Sequence, residues 1–275
     1  PDDASPLSRQ DLTSLIQQPS HRGYKVLPQR TVKIKQHQDN IHFASMIEAT
    51  DESLGRILDK LEAHGLSDNT LVIFFSDNGG MSGANFGRAD RIIAEDQLDA
   101  WFSTSNLPLR GAKGWLYEGG IRVPMIVKWP AQGEAGTVSE VPVISTDFYP
   151  TLLEMAGLPA MPGQAVDGVS LVPALTGKPF ARKPIFWHFP QYSNHGMQSP
   201  GGAVRAGDYK LLEYYENNTV QLFNLRDDIG EQNDLSQAEP DKVAELRTML
   251  HTWRNEVSAQ MPPPNPDYAP GNYPE

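Results

Sequence analysis

The sequence predicts an α/β fold with a mostly parallel sheet, followed by a small C-terminal α+β domain, and three observations support this prediction. Residues 71–75, LVIFF, are apolar without alternation, which is typical of a strand buried on both faces of a mostly parallel sheet. A helical pattern over residues 39–64 precedes that strand after a short turn, which makes a helix–strand unit. From residue 185 onward, short strand candidates are followed by one helix, which favours an antiparallel sheet covered by that helix.

Composition limits the classes of function. The 275 residues, of which 39% are hydrophobic, can form one large or two ordinary domains. A net charge of −11 argues against nucleic-acid binding and requires any anion site to be locally basic. Because the sequence has no cysteine, it contains no disulfide, no cysteine-ligated metal and no cysteine nucleophile. No apolar run reaches membrane-spanning length and residues 1–10 do not resemble a signal peptide, so we expect the sequence to begin inside a larger protein.

In chain order, residues 1–30 are polar and contain proline, which indicates a loop or an extended arm. The helix over residues 39–64 has five aliphatic residues at helical spacing, and Gly65 supplies its C-terminal stop. These five residues are Ile47, Leu54, Ile57, Leu58 and Leu61. Residues 67–70 form a turn into the strand, and residues 81–106 are predicted to form a long irregular loop near a functional site.

The strand at 71–75 ends in the sequence SDNGG, residues 76–80. Because open α/β sheets bind ligands beyond the carboxyl ends of their strands, Asp77 and Asn78 lie where a site is expected. Their side-chain oxygens suit a hard cation such as Ca²⁺. The same sequence is also typical of a turn without a ligand, and local sequence leaves both interpretations open.

Two of the cations in residues 106–130 have a glycine-rich setting. Arg110 and Lys113 stand among four glycines, which allow the backbone to approach a ligand closely. Two cations so placed can clamp an oxyanion, and a solvated basic loop is the alternative that the spacing leaves open. Residues 123–129 form the next predicted strand, in which Pro124 indicates a start or an edge.

A short strand is predicted at residues 141–144, and a helix follows from about residue 147 to residue 156. Ser145 or Thr146 is the expected N-terminal cap of this helix, and Gly157 is its expected end.

The Gly- and Pro-rich residues 157–184 indicate a boundary. We therefore divide the chain into residues 1–180, which belong to the main α/β domain, and residues 181–275, which form the small α+β domain. The elements predicted in the second part are strands at 185–189, 203–204, 209–215 and 220–225, and a helix at 241–259.

Several ordered blocks of the sequence carry a family resemblance. They are SDNGG after an apolar strand, LRGAKGWLYEGGIRVPMIVKWP, TDFYPTLLEMAGLP, DGVSLVPALTG and FWHFPQY. Together they resemble the sulfatases of the alkaline phosphatase superfamily, of the arylsulfatase and N-acetylhexosamine-6-sulfatase type, over nearly the whole chain from about His42. The resemblance implies hydrolysis of a sulfate ester and an alkaline-phosphatase-like, mostly parallel sheet sandwiched by helices. Residues 1–180 would be the C-terminal portion of that catalytic domain.

The resemblance also implies roles for individual residues. Asp77 and Asn78 match the second pair of calcium ligands in the family. Lys113 matches the lysine that contacts both the sulfate and a metal ligand, so it is the candidate catalytic residue and would offset charge growing on the leaving oxygen. His188 lies where some relatives contact the substrate, with His195 as the weaker candidate. A buried, hydrogen-bonded histidine is the alternative for both.

The remaining residues of the block receive structural roles. Arg110 and Arg122 are interpreted mainly as structural, and Gly119-Gly120 is expected to form a tight turn behind the site.

Some features of the family are absent from this sequence. In the family, a Cys or Ser within C/S-x-P-S-R is converted to formylglycine, the nucleophile, and an early acidic pair binds the metal. Residues 5–9, SPLSR, imitate the motif, but Leu7 stands where Pro or Ala is expected and Asp77 follows too closely. Asp2 and Asp3 adjoin this imitation instead of lying a strand and a helix earlier. We therefore expect a C-terminal portion of a sulfatase, which requires the N-terminal part of the same protein as its partner and is inactive as this chain alone.

The expected substrate is a sulfated carbohydrate or an aryl sulfate, and the expected cofactors are Ca²⁺ and formylglycine. Two other functions stay open: phosphate or phosphonate monoester hydrolysis, which the nucleophile would decide, and binding of sulfated glycans without catalysis. No nucleic-acid partner and no membrane span are expected. Because relatives are commonly exported, the expected location is periplasmic or secreted, or lysosomal in a eukaryote.

Overall fold

The computed structural model describes residues 12–16, 32–82, 98–130, 132–192, 198–264 and 266. They belong to two compact units, one with the described residues of 1–50, 76–124 and 186–275, the other with those of 51–75 and 125–185. The domain boundary near residue 180 stays a prediction. The elements are β1 (Leu12–Ile16), β2 (Val32–Lys35), α1 (Ile41–Ala63), β3 (Val72–Phe75), α2 (Leu98–Trp101), α3 (Glu118–Ile121), β4 (Met125–Lys128), α4 (Phe148–Met155), α5 (Val172–Leu175), β5 (Ile185–Phe189), β6 (Gly201–Ala206), β7 (Tyr209–Tyr214), β8 (Val220–Asn224) and α6 (Pro240–Glu256).

A four-stranded sheet in the order β5-β6-β7-β8 organises the first unit. Strand β7 pairs antiparallel with β6 on one side and with β8 on the other. Leu246 and Leu250 of α6 are buried in one cluster with Val204, Leu211 and Leu222, which lie opposite one another on β6, β7 and β8. The predicted antiparallel sheet with one covering helix is confirmed.

The other face of this sheet packs against residues 112–117, a layer that the sequence did not predict. Trp115 and Tyr117 of this segment are buried in one cluster with Leu212 and Phe223 of the sheet. Adjacent residues of a strand point to opposite faces, so β7 can present Leu211 to α6 and Leu212 to this segment. The sheet is therefore covered on both faces, which explains the continuous apolar runs in its strands.

Helix α1 confirms the first predicted helix. Asn40 caps its start, because the Asn40 Oδ1 accepts hydrogen bonds from the backbone N–H groups of His42 and Phe43, both at 3.0 Å. At its end, Gly65 has a φ of 65°, and Leu66 N donates to Leu61 O at 2.9 Å, as in a Schellman motif.

The apolar stripe of α1 is only partly covered by the described residues. Ile47 and Ile57 are each 56% exposed, and no residue of α1 is buried. A helical pattern specifies which face seeks an apolar partner but does not supply that partner.

Strand β3 differs from its prediction in the same way. It pairs antiparallel with β4 in a two-stranded sheet, with Val72 opposite Lys128 and Phe75 opposite Met125. Phe75 is 43% exposed, so the prediction of a strand buried on both faces is wrong for the described residues. An apolar run indicates burial, but it does not identify the neighbouring strand or its direction.

The segment before α4 corrects two local predictions. Residues 141–144 are not a strand, and a 3₁₀ turn over Ser145–Asp147 leads into α4. Neither Ser145 nor Thr146 caps the helix; instead Asp147 Oδ2 accepts a hydrogen bond from Ile144 N at 2.9 Å. A carboxylate that accepts this bond stabilises the turn, and the sequence alone did not distinguish it from its hydroxyl neighbours.

The side chain of Asp147 holds the segment before α4 through several polar contacts. This side chain is fully buried and also accepts hydrogen bonds from Val169 N at 2.9 Å and from Arg182 Nη1 at 2.8 Å. We expect Asp147→Ala to lower the free energy of unfolding by about 3–5 kcal/mol, because it leaves a guanidinium and backbone donors unpaired.

Chemical denaturation measures this effect, and Asp167→Ala, at an exposed residue, is the matched control with a change of less than about 0.5 kcal/mol. Equal stability of the two variants would contradict the role of Asp147.

Within the described ranges, no helix combines the length and the apolar character that a membrane crossing requires.

Candidate functional site

The candidate site begins at the loop that follows β3. Ser76 N donates to Pro124 O at 3.3 Å, and the Ser76 hydroxyl donates to Asn78 O at 2.9 Å. The Asn78 amide donates to Gly79 O at 3.0 Å, so the nitrogen of this amide is used inside the loop. Asp77 is exposed and Asn78 is half-buried. The loop is thus held by its own polar groups and by the end of the 110–124 segment, while the Asp77 carboxylate stays accessible.

A close backbone approach joins this loop to Gly119-Gly120. Gly79 N donates to Gly120 O at 3.0 Å. A Cβ on Gly79 would lie 1.8 Å from Gly119 O, and a Cβ on Gly119 would lie 2.5 Å from Arg110 O. Only glycine fits at both positions. The lack of a side chain at Gly79 and Gly119 therefore allows the two backbone segments to come into direct contact.

Lys113 lies on the second of these segments. Its backbone N–H donates to Gly80 O at 3.1 Å, and the residue is half-buried. The structure therefore brings the backbone of Lys113 beside the loop that carries Asp77 and Asn78, although the sequence separates them widely.

Asn106 holds the two segments together, and sequence reasoning missed it. Its side-chain oxygen accepts from Gly80 N at 3.1 Å, and its amide nitrogen donates to Gly80 O at 2.8 Å and to Gly111 O at 3.1 Å. Ser82 adds a parallel link, because its hydroxyl donates to Gly111 O at 3.0 Å. Because one side-chain amide forms hydrogen bonds with the backbone of both segments, it fixes the distance between them. No spacing or composition signal distinguishes such an asparagine from a turn residue.

The contacts of the two arginines support their predicted structural roles. Arg110 Nη1 donates to Glu231 O at 2.6 Å, and its guanidinium lies 4.3 Å from the centre of the Tyr117 ring. Arg122 is exposed and lies 3.7 Å from Glu118 Oε2. Contact of Lys113 with the substrate, which the resemblance implies, stays a prediction.

His188 has partners for both ring nitrogens. Nε2 lies 2.9 Å from Gln260 O, and Nδ1 lies 2.8 Å from the Tyr215 hydroxyl. A carbonyl oxygen only accepts, so Nε2 carries the proton and a neutral ring accepts from Tyr215 through Nδ1. Contact of His188 with a substrate stays a prediction, and a substrate would have to replace one of these bonds. His195 lies outside the described residues.

Asp77 and Asn78 provide oxygen donors of the kind that Ca²⁺ prefers, but Ca²⁺ takes six to eight oxygens. In the part of the chain that the structure describes, no group of three or more His, Cys, Asp or Glu side chains could hold a metal ion. The donor chemistry of these two residues therefore fits part of a calcium shell.

Comparisons with known proteins give a consistent family. A family model described as sulfatase matches residues 5–158, and one described as the C-terminal part of N-sulphoglucosamine sulphohydrolase matches residues 112–260. A sulfatase from Formosa agariphila is 36% identical over 234 residues, which cover 77% of this chain and 39% of that protein. The chain thus spans about two fifths of the length of this relative.

Solved structures agree on the fold. The structure of a protein in complex with its substrate D-glucosamine-2-N,6-O-disulfate aligns with a TM-score of 0.60 at 26% identity, covering 77% of this chain and 39% of that one. A phosphonate monoester hydrolase of Agrobacterium radiobacter shares the fold, with a TM-score of 0.54 at 24% identity over 78% of this chain and 40% of that one. The predicted fold class and the resemblance are confirmed.

Proposed function

Since the chain belongs to the sulfatase family, we propose that the protein that contains it hydrolyses sulfate esters, with Asp77 and Asn78 as calcium ligands and Lys113 as the residue that contacts the sulfate. The observation that carries this proposal is the hydrogen bond from Lys113 N to Gly80 O at 3.1 Å. It supports a single site, because it joins the lysine segment directly to the loop of the two oxygen donors.

The residues of this chain have distinct roles in the proposed reaction. When bound, Ca²⁺ would polarise the sulfate and a formylglycine from outside the described residues would supply the nucleophile. The Lys113 ammonium would hold an ester oxygen and offset the charge that develops on the leaving oxygen. Its half-buried position strengthens this interaction, because the local dielectric is lower than in bulk water. The Gly79–Gly120 and Asn106 contacts would keep these groups in register.

The proposed substrate is a sulfated sugar or an aryl sulfate. The family model described as N-sulphoglucosamine sulphohydrolase and the relative bound to a glucosamine disulfate both favour a sulfated hexosamine. The chain carries a net charge of −11, so an anionic substrate gains no general attraction and requires local cations such as Lys113. We further propose an exported protein, periplasmic, secreted or lysosomal, in which the remainder of the same protein completes the site.

An assay of the complete protein tests this function. We expect turnover of a 6-sulfated N-acetylhexosamine and of an aryl sulfate in the presence of Ca²⁺, with much slower turnover of the matching phosphate and phosphonate monoesters. The 275-residue chain alone is expected to be inactive, since two oxygen ligands do not complete a calcium shell. Faster turnover of the phosphorus esters would replace the proposal with its alternative, and activity of the chain alone would show that the site is complete within it.

A further inference from the structure

A buried ion cluster joins the Lys113 segment to the antiparallel sheet. Lys210 Nζ lies 3.0 Å from Glu118 Oε1 and 2.9 Å from Glu231 Oε1, and none of the three side chains is more than 2% exposed. Burial acts to raise the pKa of Glu118, but Lys210, Arg205 and Arg122 outweigh it and lower that pKa below its ordinary value. Burial raises the pKa of Glu231, although Lys210 opposes this. Such a cluster resists separation, because each charge has lost its water.

Glu231 contacts both ends of the segment 110–118. Its carbonyl oxygen accepts from Arg110 Nη1 at 2.6 Å, and its carboxylate accepts from Glu118 N at 2.7 Å. Its backbone has a φ of 51°, in the left-handed region that residues other than glycine rarely adopt. One residue therefore binds one end through its main chain and the other through its side chain, which fixes the separation of the two ends.

Lys113 lies between these ends. Gly119 N donates to Arg110 O at 2.6 Å, so the segment closes on itself as a loop. Within the loop, Lys113 N donates to Gly80 O at 3.1 Å. A change in the separation of the ends would therefore move Lys113 relative to Gly80.

We propose that Glu231 is a positioning residue for the reaction: it holds the segment 110–118 on the sheet so that Lys113 stays beside the loop of Asp77 and Asn78. The proposal rests on the proposed function of Lys113 and adds a residue that acts through it. It gives the antiparallel sheet a role in catalysis besides its own stability.

Hydrogen–deuterium exchange on the complete protein tests the structural half of the proposal without any substrate. We expect Glu231→Ala to speed exchange of the 110–119 amides about tenfold or more, because it removes charge-assisted bonds at both the cluster and the segment. Glu231→Gln keeps an oxygen that can accept from Glu118 N, so its exchange is expected to lie nearer to the wild type.

The matched control for exchange is Glu213→Gln. Glu213 is also buried and is paired with Arg247, His251 and Arg254 of α6, so its loss destabilises the same sheet away from the 110–118 segment. We expect it to lower the melting temperature and leave exchange of the 110–119 amides unchanged. Unchanged exchange in folded Glu231→Ala, or equal acceleration in both variants, would overturn the proposal.

A double-mutant cycle tests the catalytic half. Glu231→Ala is expected to lower kcat on a sulfate ester about 10- to 100-fold in the wild-type background, and far less when Lys113 is already alanine. The same fold-loss in both backgrounds would mean that Glu231 is merely structural. If Glu231→Ala does not fold, the loss of kcat is compared in the same two backgrounds for Glu231→Gln and for Lys210→Met. A wild type without sulfate-ester turnover would refute the proposed function, and the exchange data would still decide whether Glu231 holds the segment.

Discussion

Asp77→Ala in the complete protein is expected to abolish calcium binding and, with it, turnover of sulfate esters. The carboxylate of Asp77 is exposed at the end of the loop after β3, and it would be the only charged calcium ligand that the described residues of this loop contribute. Removing a charged oxygen ligand weakens a calcium site strongly, because affinity depends on the charge count of the ligands. Isothermal titration with Ca²⁺ and steady-state kinetics measure the two losses separately.

Two variants control for loss of folding in this experiment. Asp77→Asn keeps an oxygen but loses the charge, so we expect weakened calcium binding and partial recovery at high Ca²⁺ concentration. Asp167→Ala, at an exposed residue, is expected to bind Ca²⁺ and turn over substrate like the wild type. Retained activity of Asp77→Ala in the presence of a chelator would remove Asp77 from the site.

Lys113→Ala is expected to lower kcat on a sulfate ester by about 10²–10³, the loss seen when one electrostatic stabiliser of a transition state is removed. The ammonium is needed most when charge develops on the leaving oxygen, so kcat is expected to fall more than KM rises. Lys113→Arg keeps the charge with a larger, planar head, and a half-buried position should tolerate it only in part. Kinetics with substrates of different leaving-group pKa provide the measurement, because the loss should grow as the leaving group becomes poorer.

Lys183→Ala, at an exposed lysine, is the matched control and is expected to leave kcat unchanged. Calcium affinity should be retained in Lys113→Ala, which separates this residue from the metal ligands. Kinetics indistinguishable from the wild type would place Lys113 outside the reaction.

The candidate site was predictable in its residue types. Asp77 and Asn78 follow an apolar strand and precede two glycines, and Lys113 lies in a block with the same glycine content. Each signal is local, and each had a plain structural alternative until the blocks were considered together. Asn106 and Glu231 carry no such signal, because an amide or a carboxylate that pairs with distant backbone looks like any surface residue in sequence.

The apolar patterns correctly predicted α1 and β3 as elements, but they did not predict how much of each element stays exposed to solvent. Helix α1 starts and ends within two residues of its prediction, and β3 starts one residue later than predicted. Yet Ile57 stays 56% exposed and Phe75 stays 43% exposed. An apolar pattern shows which face of an element prefers to leave water, but burial of that face also requires a second surface to pack against it. The chain spans about two fifths of the length of its relative from Formosa agariphila.

By itself, the sequence predicted helices α1, α4 and α6, strands β3 to β8 and the sulfatase family, and it suggested the three residues proposed for calcium and sulfate. These follow from neighbours in the chain, through periodicity, caps and short ordered blocks. Only the tertiary structure decided that the Lys113 segment forms the second cover of the antiparallel sheet, and that Glu231 fastens it there. Arg110 and Glu231 are 121 residues apart and meet through one hydrogen bond to a backbone oxygen. A contact of that kind depends on how the chain folds back, and not on any pattern along it.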